Sequence, residues 1–238
     1  MTTVTTEQKG PTGRRFFYGW WIVFASAAIV FLSAGTFFYG FGLLVEPLES
    51  EFGWSRAAIS AAFSLRTEVG GIAAPVLGFV VDRVGPRVLM IFGVLTVSAG
   101  FLLFSQINSL WAFYGAVIVI AIGMSSTGGS MPHVVITHWF RRRRGFALGL
   151  MTLGGGSAGI MAIVFAFMID EFGWRQAVSI AALVQLAIAT PLAFSIRNRP
   201  EDMGLAVDGD DVPEPDSTGA VTSRVHEGGL TSREALRS

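Results

Sequence analysis

The 238-residue chain contains no cysteine and few charged residues. The lack of cysteine excludes disulfides, thiolate metal sites and cysteine nucleophiles. Its three histidines, His133, His138 and His226, are not spaced as metal ligands. Charged residues make up 14% of the sequence and hydrophobic residues 52%, whereas a soluble domain has about 25% charged residues. The formal net charge of zero gives no indication of a nucleic-acid partner. We therefore expect a membrane protein with neither a metal ion nor a cofactor.

Long apolar segments recur along the chain, and a bilayer-spanning helix needs about 20 such residues. The segments that qualify cover residues 18–45, 56–81, 88–106, 110–138, 145–169 and 175–196. Short polar connections between them imply antiparallel neighbours. The sequence therefore predicts an all-α membrane protein, with a six-helix transmembrane domain over residues 18–199.

The two ends of the chain differ from this domain. Residues 1–17 form a polar N-terminal segment, and the apolar stretch that follows is too long for a secretory signal, so we expect an uncleaved first helix. From Pro200 the composition becomes polar, which predicts a flexible loop or tail over residues 200–238.

The cationic residues are divided unequally between the two sides of the predicted bundle. One side has only Arg56 and Arg175, next to several carboxylates. The other side carries Lys9, Arg14, Arg15, Arg83, Arg87, Arg141, Arg142, Arg143, Arg144, Arg197 and Arg199. Because cytoplasmic loops are enriched in Lys and Arg, this pattern predicts that both termini are cytoplasmic.

Polar residues inside the predicted spans are the candidates for substrate binding. Arg66 and Glu68 lie near the middle of the second span, where a charge costs about 2.5–3.5 kcal/mol and needs a cavity or a partner. Arg66 could bind an anionic substrate with Glu68 beside it, or the two could serve a structural contact. Ser125, Ser126 and Thr127 in the fourth span could line the same site, or could serve helix packing.

Glycine spacing in the fifth span suggests close helix contacts. Gly145 with Gly149, and Gly155 with Gly159, follow the G-x-x-x-G pattern that lets helix backbones approach. A dinucleotide-binding loop is excluded, since no strand precedes these glycines.

A short polar link joins the second and third spans within residues 78–87, which read GFVVDRVGPR. Gly78, Asp82, Arg83, Gly85 and Arg87 give the pattern G-x-x-x-D-R-x-G-x-R. The pattern resembles the loop between helices 2 and 3 of the major facilitator superfamily of secondary transporters. That resemblance implies a cytoplasmic gating loop.

Further stretches resemble one branch of that superfamily, the monocarboxylate transporters and oxalate/formate antiporters. They are residues 18–21 (YGWW), 51–56 (EFGWSR), 139–149 (WFRRRRGFALG) and 199–205 (RPEDMGL). The resemblance implies alternating access between two six-helix halves, of which this chain supplies the N-terminal one. It also implies that the missing half contributes cationic substrate contacts. Many proton-coupled members carry an arginine early in the fourth helix, and residues 110–115 contain none.

We therefore expect a secondary transporter of small organic anions, in the bilayer of a bacterial inner membrane, that works with a missing C-terminal half. A half-size carrier working as a homodimer is the alternative within transport. A non-transporting membrane sensor or assembly protein is the alternative from another class. An enzyme is not expected, because the sequence has no recognisable nucleophile–base pair or paired carboxylates and we assign no catalytic residue.

Overall fold

The structure is a computed structural model that describes residues 17–128 and 130–209. Within these ranges the chain forms helices and no β-strand. The α-helices are α1 Tyr18–Ala34, α2 Phe41–Phe52, α3 Arg56–Val84, α4 Pro86–Ser105, α5 Leu110–Thr127, α6 Ser130–Trp139, α7 Arg144–Ser157, α8 Gly159–Phe172, α9 Trp174–Val184 and α10 Thr190–Ser195. Two π-helical segments, Gly35–Tyr39 and Gln185–Ala189, and two 3-10 turns, Pro200–Met203 and Val207–Gly209, interrupt or follow them.

These helices combine into six candidate membrane spans, which confirms the predicted all-α six-helix fold. The first to sixth spans are Tyr18–Tyr39, Arg56–Val84, Pro86–Ser105, Leu110–Trp139, Arg144–Phe172 and Trp174–Ser195. At 1.5 Å per residue, about 20 residues cross the hydrocarbon core of about 30 Å.

Four of the six predicted helices are divided in the structure: the fourth consists of α5 and α6, the sixth consists of α9, a π-helical segment and α10, and the first and fifth are divided as well. The first was expected to run to residue 45, but it widens into a π-helical segment and a separate helix begins at Phe41. The fifth span is interrupted at Ala158, between α7 and α8. A π-helical turn inserts an extra residue, so it changes which side chains face a neighbouring helix.

The third span packs closely against the fourth because glycines replace larger side chains at the contact. A Cβ atom added to Gly93 would lie 2.8 Å from the carbonyl oxygen of Gly123, and one added to Gly100 would lie 3.0 Å from the backbone nitrogen of Ile120. These distances leave no room for a methyl group. Small residues of this kind let helix backbones approach in membranes.

The first span contacts both the fifth and the sixth spans. A Cβ atom at Gly154 of the fifth span would lie 2.5 Å from the carbonyl oxygen of Ala27, so these two backbones also touch. Toward the sixth span, the buried Nε2 of Gln185 donates a hydrogen bond of 2.7 Å to Ser33 Oγ. That bond joins the sixth span to the first at a point just before the π-helical segment of the first span.

The six spans differ in the fraction of their residues that is buried within the described bundle. In the most apolar window of each span, 6% of the second and 11% of the fifth is buried, against 39–56% for the other four. Large apolar side chains of both spans are exposed, including Ile72 (73%) and Ile163 (73%). The second and fifth spans are therefore the least covered surfaces of the bundle.

The two ends of the bundle carry opposite charge. We call the end with Glu46, Glu49, Glu51, Asp170 and Glu171 the acidic end, and the end with Arg83, Arg87, Arg197, Arg199 and residues 141–144 the basic end. Past the sixth span, the segment expected to be flexible starts with the two 3-10 turns at the basic end. Residues 1–16 and 210–238, which complete the predicted terminal segments, lie outside the described residues.

Candidate functional site

The structure places three aromatic rings around Arg66, in the middle of the second span. The guanidinium carbon lies 3.8 Å from the ring centroid of Phe38, 5.4 Å from that of Phe37 and 5.5 Å from that of Phe63. Distances within about 6 Å allow cation–π attraction, which is strongest where water is excluded. Arg66 is thus stabilised in an apolar region by ring faces instead of by a carboxylate.

The π-helical segment Gly35–Tyr39 explains how two consecutive phenylalanines reach one arginine. Phe37 and Phe38 both belong to it. In a regular α-helix, neighbouring residues point about 100° apart, and a wider turn changes that angle. Among the residues that sequence reasoning missed, these aromatics are the most prominent, because nothing in the local composition indicates a π-helical turn.

Arg66 lines a cavity of about 420 Å³ between the second and fourth spans. The lining is mostly apolar, and Arg66, Thr67 and Ser125 are its polar members. The apolar part of the lining comprises Phe38, Phe63, Gly70, Ala74, Leu77, Ala121, Met124 and Gly128. A cavity of this size and character is typical of small-molecule sites.

Of the three polar residues that line the cavity, Arg66 is the one with a buried N–H group that lacks a hydrogen-bond partner among the described residues. The hydroxyls of Thr67 and Ser125 donate to the carbonyl oxygens of Phe63 (3.3 Å) and Ala121 (2.9 Å) on their own helices. Among the described residues, the buried Nε of Arg66 has no hydrogen-bond partner. Buried polar groups are nearly always paired, so Arg66 is suited to bind an acceptor that enters the cavity.

The other predicted substrate contacts lie outside this cavity. Glu68 is exposed, about 200° around the helix from Arg66, and no described ion pair joins the two residues. Ser126 and Thr127 are fully buried. They face the third span, where a Cβ atom at Gly93 would lie 2.7 Å from Ser126 Cβ. Of the predicted set, the structure therefore brings together Arg66 and Ser125.

At the basic end, the loop between the second and third spans is held by Asn198. Gly85 adopts φ +81°, and Pro86 begins the next helix. The backbone N–H of Arg87 donates to Asn198 Oδ1 (3.0 Å), and its Nη2 donates to the carbonyl oxygen of Phe194 (3.0 Å). The predicted gating loop is thus anchored to the end of the sixth span. A single asparagine after that span gave no signal in the sequence.

The remaining gating residues make few contacts within the described part of the chain. Asp82 is exposed and takes part in no ion pair among the described residues. The guanidinium of Arg83 lies 4.1 Å from the ring centroid of Phe79 on its own helix. Gly78 has open space where a Cβ would lie. The gating role of these residues stays a prediction.

Of the four glycines predicted to serve helix packing, Gly155 and Gly159 lie near the first span. A Cβ atom at Gly155 would lie 3.3 Å from Val30, and one at Gly159 would lie 3.7 Å from Tyr39. Gly145 and Gly149 have no described atom within 4 Å of such a Cβ. Their packing role stays a prediction.

The loop before the fifth span is fixed by a carboxylate from the second 3-10 turn. Asp208 accepts hydrogen bonds from the backbone N–H groups of Arg142 (2.8 Å) and Arg141 (3.0 Å). Burial alone would raise the pKa of Asp208, but these N–H donors outweigh it and lower the pKa below its ordinary value. The carboxylate therefore acts as an anionic cap at the start of α7.

A second set of polar contacts closes the acidic end. Glu51 accepts hydrogen bonds from Trp174 Nε1 (2.6 Å) and Arg175 Nη2 (2.8 Å). Arg175 also donates to the carbonyl oxygens of Ser105 (2.9 Å) and Ile107 (2.9 Å). Hydrogen bonds from Arg175 and Trp174 lower the pKa of Glu51 below its ordinary value. We call this set, Glu51, Trp174 and Arg175 with the two carbonyls, the acidic-end clasp.

Comparison with known proteins gives one family and several relatives. The family described as Major Facilitator Superfamily matches residues 18–226. An uncharacterised MFS-type transporter of Bacillus subtilis, YcxA, is 27% identical over 76% of this chain and 45% of its own length. The oxalate:formate antiporter of Oxalobacter formigenes is 29% identical, covering 64% of this chain and 35% of its own length. Mouse monocarboxylate transporter 14 is 30% identical, covering 77% of this chain and 37% of its own length. The chain thus spans less than half the length of each of these relatives.

Proposed function

The chain belongs to the major facilitator superfamily, and from that premise we propose that it is one half of a secondary transporter of small organic anions. The superfamily consists of transporters, so a catalytic role is not part of the proposal. The substrate class is supported by relatives whose names specify monocarboxylate transport and oxalate:formate exchange. In this proposal Arg66 binds the carboxylate of the substrate during alternating access.

The observation that carries the proposal is a cation, Arg66, that lines a mostly apolar cavity and makes no ion pair among the described residues. A guanidinium offers parallel N–H donors that match the two oxygens of a carboxylate. In the apolar surroundings of Phe37, Phe38 and Phe63, this attraction is stronger than it would be in water. The carbon skeleton of a small substrate would contact Met124 and Leu77 on the same lining.

The exposed second and fifth spans support a partner for this half. Within the described bundle they bury 6% and 11% of their most apolar windows, and the chain covers 35–45% of the relatives' length. We propose that a second six-helix unit covers these two spans and completes the substrate pathway. Such a unit could be a C-terminal half or a second copy of this chain, and the exposed spans suit either one.

Orientation and location follow from charge. Because Lys and Arg favour the cytoplasmic side, the basic end would face the cytoplasm of a bacterial inner membrane. The loop of Asp82, Arg83, Gly85 and Arg87 would then be the cytoplasmic gate. In the complete transporter, Asp82→Asn should lower uptake while leaving membrane insertion intact, and normal uptake by this variant would remove the gate assignment.

Substrate binding by Arg66 can be tested on the purified chain in lipid nanodiscs, with formate, oxalate and lactate as probes. Arg66→Gln should weaken binding by about tenfold or more, since it removes a charge-assisted contact. Arg66→Lys should retain part of the affinity. Arg56→Gln is the matched control, because it removes the same charge from an exposed site on the same helix.

The outcomes distinguish substrate binding, which needs only the Arg66 site, from transport, which needs a complete pathway. Binding lost in Arg66→Gln and kept in Arg56→Gln supports the Arg66 site even when the chain alone transports nothing. Flux by the chain alone, together with a cross-linked dimer, would favour the homodimeric carrier. Equal affinity in wild type and Arg66→Gln would contradict the proposed site.

A further inference from the structure

A second cavity, of about 450 Å³, lies at the basic end beside the last turn of the fourth span. Its charged lining consists of Arg141, Arg144 and Arg199 with one carboxylate, Glu201, and His138 lies among them. Arginine remains protonated in proteins, so Arg144 and Arg199 alone carry more positive charge than Glu201 carries negative charge. The ligand favoured by this lining is an anion.

The loop that supplies two of these arginines has a fixed backbone. Asp208 accepts hydrogen bonds from the N–H groups of Arg141 and Arg142, at 3.0 and 2.8 Å. A basic loop held in place in this way loses less conformational entropy when it binds a ligand. Because the backbone N–H groups of Arg141 and Arg142 are already bonded to Asp208, a ligand in the cavity would be bound by the arginine side chains.

His138 provides an independent sign of an absent polar contact. Its Nδ1 is buried, and among the described residues it has no hydrogen-bond partner. Buried polar atoms are rarely left unpaired, and each one calls for an explanation. Because His138 also lines the cavity, a ligand with several oxygen atoms would lie beside its ring as well as beside the guanidinium groups.

The depth of the cavity indicates the source of such a ligand. Tyr18 and Trp21, both partly exposed, donate to the carbonyl oxygen (2.7 Å) and to the hydroxyl (3.0 Å) of Ser195, four residues before Arg199. Tryptophan and tyrosine at the ends of spans mark the level of the lipid headgroups. Basic pockets between transmembrane helices at this level bind acidic headgroups.

We propose that this cavity binds the phosphate group of an anionic phospholipid, with Arg144 and Arg199 as its charged donors. The cavity is separate from the one that contains Arg66, and the proposal does not depend on transport. Bound lipid would join the start of the fifth span to the segment that follows the sixth.

The full chain in phosphatidylcholine nanodiscs with increasing fractions of phosphatidylglycerol provides the test. Binding is measured by native mass spectrometry of the retained lipid and by the thermal unfolding midpoint. Arg144→Gln and Arg199→Gln should each weaken the apparent affinity for phosphatidylglycerol by about tenfold. Arg143→Gln is the matched control, because Arg143 is the next residue in the same loop and does not line the cavity.

Four results are informative. Loss in Arg144→Gln and Arg199→Gln, with Arg143→Gln unchanged, supports the site. Equal weakening in all three variants would indicate general attraction of a basic surface to acidic lipid and overturn it. Unchanged affinity in Arg144→Gln and Arg199→Gln would also overturn it. Inorganic phosphate that binds with the same dependence on Arg144, while phosphatidylglycerol does not, would overturn the lipid assignment. A variant that is already unfolded in pure phosphatidylcholine is misfolded and is set aside. The affinity of the other variant, Arg144→Gln or Arg199→Gln, then tests the proposal.

Discussion

The two ends of the bundle solve the problem of polar groups at a membrane boundary in different ways. At the acidic end, the clasp pairs Glu51 with Trp174 and Arg175, and Arg175 satisfies the carbonyls of Ser105 and Ile107. Three connections between spans are thus tied together at one carboxylate–guanidinium pair.

The basic end carries more arginine, and some of its buried nitrogens are unpaired among the described residues. Buried nitrogens of Arg87 (Nε) and His138 (Nδ1) have no hydrogen-bond partner there. Cavities open at both ends: one of about 450 Å³ beside Arg144 and one of about 420 Å³ beside Asp82 at the basic end, and one of about 560 Å³ beside Glu46 and Asp170 at the acidic end. A satisfied end resists separation of its helices, whereas an end with unused donors is suited to ligands or to movement. The two ends therefore differ in how their buried donors are paired, and not in whether they contain cavities.

The largest expected effect is the loss of the clasp in Arg175→Gln. The variant would leave Glu51 and the carbonyls of Ser105 and Ile107 without their charged donor, so we expect the unfolding free energy to fall by about 2 kcal/mol. Unfolding of the chain in detergent micelles measures it. Arg56→Gln removes the other arginine of this end, whose side chain is 73% exposed in its pair with Glu49, and it should lower the unfolding free energy much less than Arg175→Gln, because water screens an exposed pair. Equal losses in the two variants would contradict the clasp.

The stability of the loop between the second and third spans should depend on the backbone shape at Gly85. Gly85→Ala would place a Cβ at φ +81° and 2.6 Å from Asn198 Nδ2, which should cost about 1–2 kcal/mol. Gly78→Ala is the matched control, since a Cβ there meets no described atom and alanine favours a helix by up to about 1 kcal/mol. The same unfolding assay applies. A Gly85→Ala variant as stable as Gly78→Ala would show that the loop is not held as described.

The sequence predicted the helices and the charge of both ends because these depend on local composition. Runs of apolar residues mark each span, and the uneven distribution of arginine marks the basic end. Arg66 was identified for the same reason, since any charge within an apolar run is costly.

The partners of Arg66 could not be predicted because they depend on how helices are rotated against one another. Phe37 and Phe38 belong to a π-helical turn of another span, and Phe63 is one turn before Arg66 on its own helix. Likewise, Ser125 and Ser126 are adjacent and equally polar, yet one lines the cavity and the other packs against the third span. Which of two neighbouring residues faces a cavity is set by tertiary packing.

A smaller effect is expected from Asp208→Asn at the basic end. Asparagine tolerates the positive φ of 62° at this position, but as a neutral acceptor it binds the N–H groups of Arg141 and Arg142 less strongly. We expect faster hydrogen–deuterium exchange at these two amides, and a stability loss of about 1 kcal/mol or less. Asp202→Asn, in the preceding turn, should leave that exchange unchanged. Identical exchange in Asp208→Asn and wild type would contradict the cap.

The smallest effect concerns the pH dependence of the clasp. Because Arg175 and Trp174 lower the pKa of Glu51 in the folded chain, the stability they add is fully present above the unfolded pKa of about 4.3. It is lost as the pH falls through the lower, folded pKa. The difference in unfolding free energy between wild type and Glu51→Gln should therefore be constant from about pH 7 to pH 5 and shrink below about pH 4. Other carboxylates titrate alike in both proteins, so their contributions cancel in the difference. A difference that stays constant down to pH 3 would mean that Glu51 stabilises this end by its shape and hydrogen bonding and not by its charge.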